Sequence, residues 1–429
     1  MKPFASKDHA TDVILAAGIR TPWAKAGVAF REENAGHLGA LAARELLARS
    51  GLASTDLDEV IAGCVGPPHD QANLGRVLGL RAGVSQGTPA RTVARNCASG
   101  FETVTSAMDT LLAGRGDTFL CVGVEMMSAY PLLFGNKMVS LFEKLMKART
   151  LGTRVQAMTQ FRPAFLKPRV ALLEGLRDPI SGLLMGSTAE HIARDLGITR
   201  QACDQYALQS HQRALVAQTS GRLSKEIFPV LPLHRPNNNK SILQDDSPRE
   251  GQTLERLAKL RPYFEKPDGV VTVGNACGIT DGAVALLITT AERASALGLS
   301  PLARIRSFAW TGCDPSRMGL GPISSSQAAL QAAGCSLADI GAVELNEAFA
   351  AQVLGCIQGM KKEGVGELLP ERLNVNGGAI ALGHPVGATG ARLLLTAAHE
   401  LKEGNHELTL ATLCIGGGQG GAFVLENIT

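Results

Sequence analysis

Aromatic residues are few in this sequence, 4% of its 429 positions, against 48 glycines. That balance suits Ala/Val/Leu layers joined by tight strand-to-helix turns and argues against an all-β sandwich built around rings. Charge of one sign is also missing: 42 Lys and Arg face 39 Asp and Glu, a formal net of +3. So small a surplus supports no general attraction for nucleic acid, and no nucleic-acid partner is expected. The nine cysteines (64, 97, 121, 203, 277, 313, 335, 356 and 414) include no C-x-x-C pair and no Cys/His cluster at zinc-ligand spacing. They read as free thiols of a reducing compartment, and no metal is expected. No run approaches the ~20 consecutive apolar residues that a membrane span requires. Met1 to Asp12 hold no apolar core of signal-peptide length, and Asp8 and Asp12 argue against a transit peptide, so the cytoplasm is the expected location.

With 45% apolar residues the chain is long enough for two or three core-forming layers or domains. Short β-branched or apolar runs, Asp12 to Ala16, Val60 to Val65, Phe119 to Val124, Ala342 to Leu345 and Leu408 to Leu413, alternate with longer amphipathic runs. This is the alternation of an α/β fold. A weak internal repeat accompanies it. Leu38 to Ser50 leads through Gly51 into Leu57–Ile61, and Gln327 to Ala333 leads through Gly334 into Leu337–Val343. Each copy then reaches a Gly-flanked reactive residue, Cys97 or His384, a further helix, and a strand ending near Cys121 or Cys414. Two similar halves are expected, residues 1–125 with 267–295 and residues 296–429, with the chemistry where corresponding turns face each other. Between them 126–266 reads as an insertion, irregular, basic and including the polar run Pro236-Asn237-Asn238-Asn239-Lys240.

Three segments carry chemistry. Ala90 to Gly100 runs from a strand into a helix whose Phe101, Val104, Met108, Leu111 and Leu112 share one face, which places Cys97 at a helix N-terminus. There the dipole and free backbone N–H groups favour a thiolate. Asn374 to Gly390 holds too many glycines for a regular element and is expected to be a shaped loop, with helix resuming near Ala391. It fixes His384 between Gly383 and Pro385 as a candidate general base. Leu413 to Gly421 carries Cys414 into an almost side-chain-free turn whose backbone N–H groups suit an anion or oxyanion. A fourth segment, Glu344 to Ala350, sets amides and acids just after a strand.

Taken together, N-C-A-S-G at Cys97, N-E-A-F-A at Asn346, N-G-G-A-I-A-L-G-H-P-V-G-A-T-G around His384 and C-I-G-G-G-Q-G at Cys414 resemble the four signature blocks of the thiolase family, in the family's order. Further matches at Arg20-Thr21-Pro22, Met185 to Glu190 and Gly274 to Ala283 extend the resemblance over nearly the whole chain. It implies a duplicated fold of two βαβαβαββ halves in five layers, αβαβα. It also implies that Cys97, activated by His384, takes the acyl chain of a 3-ketoacyl-CoA, while Cys414 handles the proton of the departing acetyl-CoA carbanion. His384 and a water on Asn346 would hold the enolate oxygen, and the N–H groups of Cys97 and Gly416 a second oxyanion. Neither metal nor redox cofactor is implied; CoA and acyl-CoA are substrates. Arg249 would meet the nucleotide phosphates, and Cys277 stands where many thiolases place a Ser or Thr against the pantetheine arm. Leu184 replaces the His that short-chain biosynthetic members carry just before Met185-Gly186. With the long insertion Phe134 to Asp178, this favours the degradative β-subunit of a β-oxidation complex over a dedicated acetoacetyl-CoA thiolase. Expected partners are CoA thioesters, a second copy (as dimer or dimer of dimers), and the hydratase/dehydrogenase α-subunit of such a complex.

Residues 136–177 hold nine basic side chains against two acidic ones. Met138, Leu141, Phe142, Leu145 and Met146 suggest an apolar helix face for a membrane surface or partner; a cover over the CoA tunnel is the competing reading. Two other classes remain. An inactive acyl-binding relative would have lost a reactive residue, and a condensing enzyme of fatty-acid synthesis would lack a second reactive cysteine such as Cys414.

Overall fold

A computed structural model describes residues 2–5, 12–233 and 240–428. Asp8 and the Pro236 to Asn239 part of the polar run lie outside the described residues. The core is one mixed sheet whose principal strands are β1 (Val13–Arg20), β2 (Glu59–Gly63), β3 (Ala90–Val93), β4 (Thr118–Met126), β5 (Thr280–Thr290), β6 (Ala303–Gly312), β7 (Ala342–Leu345), β8 (Leu408–Ile415) and β9 (Gln419–Glu426). Their order is β7-β8-β9-β6-β1-β5-β4-β2-β3. In the first half β2 runs parallel to β3 and β4, and β4, β5 and β1 follow antiparallel. In the second half β7 is parallel to β8, and β8, β9 and β6 follow antiparallel. Leu373 bridges Val343 in parallel, taking the place that β3 holds in the first half. The repeat in the sequence is thus a repeat in topology, and the halves join where Leu15 and Ile14 of β1 pair Ala303 and Arg304 of β6.

The period of two along each strand sorts residues into layers. From β1, Val13 and Leu15 enter the central core while Ile14 and Ala16 face an outer one. From β8, Leu413 and Ile415 enter the same central core while Leu410 and Cys414 face the opposite outer layer. Helices α1 (Ala35–Ser50) and α2 (Leu74–Ala82) cover one outer face, and α3 (Ser99–Leu112) lies in the central layer with a second long helix, residues Val386–Glu403. Both faces of the inner strands are dry, whereas the edge strand β3 is half-buried. Each fully buried Val, Leu, Ile or Phe contributes about 1.5–3 kcal/mol relative to exposure, so the layers are held chiefly by area. Matching glycines end the matching helices: Gly51 and Gly334 are left-handed caps with φ of 66° and 69°.

Of residues 126–266, α4 (Asn136–Lys147) and α5 (Leu151–Met158) pack on each other. The α4 face is divided: Met138 and Leu141 are buried, whereas Phe142 and Met146 are exposed. Helices α6 (Met185–Leu196) and α7 (Arg200–Thr219) cross to the second half and pack with α8 (Gly321–Ala333) and α9 (Ala350–Lys362) in its outer layer. No helix among the described residues is long and apolar enough to cross a membrane.

One expectation fails in part. Helix resumes at Val386, so α10 (Val386–Glu403) begins inside the Gly-rich segment, and Ala379–Leu382 is a helical turn. The glycines that argued against helix are demanded by packing. A Cβ on Gly390 would stand 2.6 Å from the Phe101 nitrogen, and one on Gly100 would stand 2.5 Å from the Ala391 nitrogen. Helices α3 and α10 cross backbone to backbone at these two residues, which brings the turns of Cys97 and His384 together.

Candidate active site

Residues Arg95 to Ser99 form a tight turn at the start of α3. Asn96 adopts φ 44°, a left-handed conformation that asparagine tolerates better than most residues. The Ser99 hydroxyl donates to the Asn96 carbonyl (2.8 Å) and accepts from the Arg95 N–H (3.0 Å). The sequence pointed to a stabilised thiolate here; in the structure burial wins and pushes the Cys97 thiol up, while the N–H groups of Gly416 and of Cys97 itself pull it down. The sulfur is therefore a thiol that needs a base, with two N–H donors beside it.

His384 supplies a lone pair. Its ring is buried, and burial, followed by the Arg392 charge, holds it down at about 3, so the imidazole is neutral. Nδ1 lies 2.7 Å from the Thr389 hydroxyl, which in turn donates to the Pro385 carbonyl (3.1 Å). The carbonyl can only accept, so Thr389 gives its proton there and Nδ1 donates to Thr389. Nε2 is left as the acceptor, 3.5 Å from the Asn346 amide nitrogen. Asn346 is fully buried, and its Oδ1 has no hydrogen-bond partner among the described residues.

Cys414 is the last residue but one of β8 and lies opposite Gly420. Burial raises its thiol, and a negative charge on Cys97 raises it further; Cys277, pushed up to about 12 by burial, also feels Cys97. The turn after Cys414 closes with the Gly418 N–H on the Ile415 carbonyl (3.2 Å), and Gly417 has φ 91°. Of its two central residues only the second, Gly417, has a positive φ, which makes this a type II turn. Asn96 Nδ2 donates to the Gly416 carbonyl at 2.8 Å.

Glu347 anchors the N-E-A-F run: it accepts from the Tyr206 hydroxyl (2.8 Å), the Ser210 hydroxyl (2.7 Å), Asn374 Nδ2 (2.9 Å) and the Ile380 N–H (3.1 Å). The strip before β5 ties this run to the histidine: Cys277 N–H donates to the Ala348 carbonyl (3.0 Å), and His384 N–H to the Gly278 carbonyl (3.2 Å).

A cavity of about 890 Å³ opens over the site. His384, Cys277, Leu184, Met185 and Arg249 line it; Cys97, Asn346, Cys414 and Gly416 do not. Met185 connects the two groups, its sulfur 3.4 Å from where a Gly416 Cβ would stand. Lys25, Arg177 and Arg249 bring positive charge to the wall, and Val170, Leu173 and Leu176 of the insertion bring apolar surface.

The sequence reading passed over Asn96, Thr389 and Glu125. Glu125 is fully buried at the end of β4 and accepts from the N–H groups of Val65 (3.0 Å), Gly66 (3.0 Å) and Gly387 (2.9 Å) and from the Tyr130 hydroxyl (3.1 Å). It joins the first half to the start of α10. A lone acid closing an otherwise apolar strand was its only signal.

Comparison with known proteins agrees with this geometry. The family model for the thiolase N-terminal domain matches residues 13–292, and that for the thiolase C-terminal domain matches 299–427. The chain is 39% identical to the acetyl-CoA acetyltransferase of Chromobacterium violaceum, over 97% of this chain and 99% of that protein. It is 40% identical to the 3-oxoadipyl-CoA/3-oxo-5,6-dehydrosuberyl-CoA thiolase of Escherichia coli, over 97% and 100%. Its fold matches the crystal structure of human mitochondrial 3-ketoacyl-CoA thiolase in complex with CoA with a TM-score of 0.86, at 34% identity over 98% of this chain and 99% of that one. With family models spanning nearly its whole length, the chain belongs to the thiolase family of acyltransferases.

Proposed function

We propose that this thiolase cleaves 3-ketoacyl-CoA with free CoA, reversibly, through an acyl-enzyme on Cys97, and that it serves β-oxidation. The observation that carries the reading is the crossing of α3 and α10, which brings the turn of a neutral His384 to the turn of a half-buried Cys97 thiol that faces two backbone N–H groups. In this scheme His384 Nε2 takes the Cys97 proton, and sulfur attacks the ketone carbon. The oxyanion lies between the N–H groups of Cys97 and Gly416. The C2–C3 bond breaks, its electron pair passing to the acetyl-CoA α-carbon, and the Cys414 thiol protonates that carbon. His384 and Asn346 hold the thioester oxygen while it carries enolate charge. CoA then gives its thiol proton to the Cys414 thiolate and attacks the acyl group; Cys97 leaves and recovers its proton from His384. The thioester itself acidifies the α-carbon, so the scheme calls for no metal or redox group.

Arg249, with Lys25, suits the phosphates of CoA, and Cys277 the pantetheine arm. Leu184 and the apolar insertion residues on the cavity wall support acyl chains longer than acetoacetyl. The name of the Chromobacterium relative supports the second reading, a dedicated acetoacetyl-CoA thiolase. Thiolysis rates over a chain-length series decide: kcat/KM should rise from the C4 substrate to longer chains, and a maximum at C4 would select the second reading. An acyl-binding protein without activity is the third, and it predicts no covalent acyl adduct on Cys97. For assembly, we assign a homodimer or dimer of dimers. The exposed Phe142, Met146 and Leu151 among lysines of 136–177 suit an anionic membrane surface or a hydratase/dehydrogenase subunit.

A further inference from the structure

The three glycines of the turn after Cys414 leave its backbone almost unrestrained. A glycine at the second and third positions of a four-residue turn can hold the central peptide in either of two opposite orientations, type I or type II. Here the turn is type II, and the carbonyl of its central peptide, that of Gly416, accepts a hydrogen bond from Asn96 Nδ2 at 2.8 Å. In a type I turn that carbonyl would point to the other side. Asn96 belongs to the nucleophile's own turn, and its left-handed φ of 44° aims the amide across to β8–β9. Its neighbour Arg95 makes a parallel contact, Nη1 to Gln419 Oε1 at 3.2 Å, while stacking on Trp310 and pairing with Glu102.

We propose that Asn96 is a positioning residue: its side-chain amide holds the Gly416 carbonyl in the type II turn and so tethers Gly416, whose own N–H lies in the preceding peptide, beside the Cys97 sulfur, building one wall of the oxyanion hole from the residue next to the nucleophile. The proposal rests on the thiolase reading for its catalytic consequence, but its structural part does not. The Gly416 N–H is one of two donors that lower the Cys97 thiol against the rise that burial imposes, so its orientation has a direct readout in the thiol.

The test uses Asn96→Gly, which keeps the left-handed backbone and removes the donor, and Asn96→Asp, which keeps size and backbone tolerance but sets a carboxylate against the carbonyl. Near-UV circular dichroism checks the fold of each. Iodoacetamide alkylation of Cys97, followed by peptide mass spectrometry across pH 6 to 10, should show the thiol titrating higher in both variants than in wild type. Thiolysis kcat should fall about 10-fold or more, toward the loss that follows removal of an oxyanion donor, with KM changed less than threefold. Unchanged alkylation profiles in both folded variants overturn the proposal, whatever happens to kcat, as does a kcat within twofold of wild type. If wild type shows no thiolysis at all while the alkylation shift is present, the thiolase reading fails and the tethering of Gly416 by Asn96 stands. If the glycine variant does not fold, the aspartate variant decides on the same two readouts.

Discussion

Thr389 Oγ1 stands 2.7 Å from Nδ1 of His384 and donates its own proton to the Pro385 carbonyl, so the His384 imidazole is oriented by a hydroxyl and not by a carboxylate. A hydroxyl fixes the tautomer without raising ring basicity as a charged partner does. Replacing Thr389 with Val keeps the shape and removes the acceptor. We expect kcat for thiolysis to fall about 10- to 100-fold, within the usual weight of a general base, with KM little changed. Thr389→Ser should restore most of the rate. A Val variant with full activity would show that packing alone orients the ring.

The two cysteines should separate by assay. Cys97→Ala should form no acyl adduct by mass spectrometry. Cys414→Ala should still accept an acyl group on Cys97 from a simple acyl-CoA, yet lose α-proton exchange of acetyl-CoA in deuterated water by about 10²-fold or more. Equal loss of both activities in a folded Cys414 variant would make Cys414 a support for the nucleophile.

Acidification should expose the buried histidine. Burial, and behind it the Arg392 charge, hold His384 at about 3, against an ordinary 6.5. Between those values the unfolded chain binds a proton that the folded chain refuses. The stability linked to His384 is thus fully present above pH 6.5 and is lost as pH falls toward 3. Between pH 7 and pH 5, His384→Asn should lose less stability than wild type by about 2 kcal/mol. Parallel urea-unfolding midpoints for the two proteins over that range would contradict the assignment of a neutral ring.

Glu347 receives four hydrogen bonds in the dry outer layer of the second half. Glu347→Gln turns one acceptor oxygen into a donor facing donors. The cost of an unsatisfied buried group at a charged site predicts a loss of about 3 kcal/mol in stability. Urea unfolding would measure it, and a loss below about 0.5 kcal/mol would mean the cluster rearranges freely.

The residues of the proposed site stood out because each is set off by small neighbours: Cys97 before Ala-Ser-Gly, His384 between Gly and Pro, Cys414 one residue before three glycines. Local turn chemistry writes itself into local sequence. The α/β alternation and the duplication were legible for the same reason, through Gly51 and Gly334 at matching helix ends. What could not be read depends on partners far along the chain. Glu125 meets the Gly387 N–H, 262 residues on, and Gly390 is glycine only because α3 passes against it. The state of the Cys97 thiol was misread because the helix N-terminus is visible in sequence and the depth of burial is not.

The crossing of α3 and α10 at Gly100 and Gly390 acts as a pivot close to the chemistry. Cys97 precedes its crossing glycine by three residues and His384 precedes its own by six, partly in non-helical chain before Ser99 and Val386, arms of at most about 13 Å. If the two halves flex about that point by about 5°, the sulfur and the imidazole shift relative to each other by no more than about 1 Å, the scale at which rates begin to suffer. Breathing of the periphery, where arms are several times longer, is therefore scaled down at the reacting atoms. Damage in the outer layers should show itself as fewer folded molecules, each working at the full rate, whereas an added methyl at either glycine displaces the pivot itself.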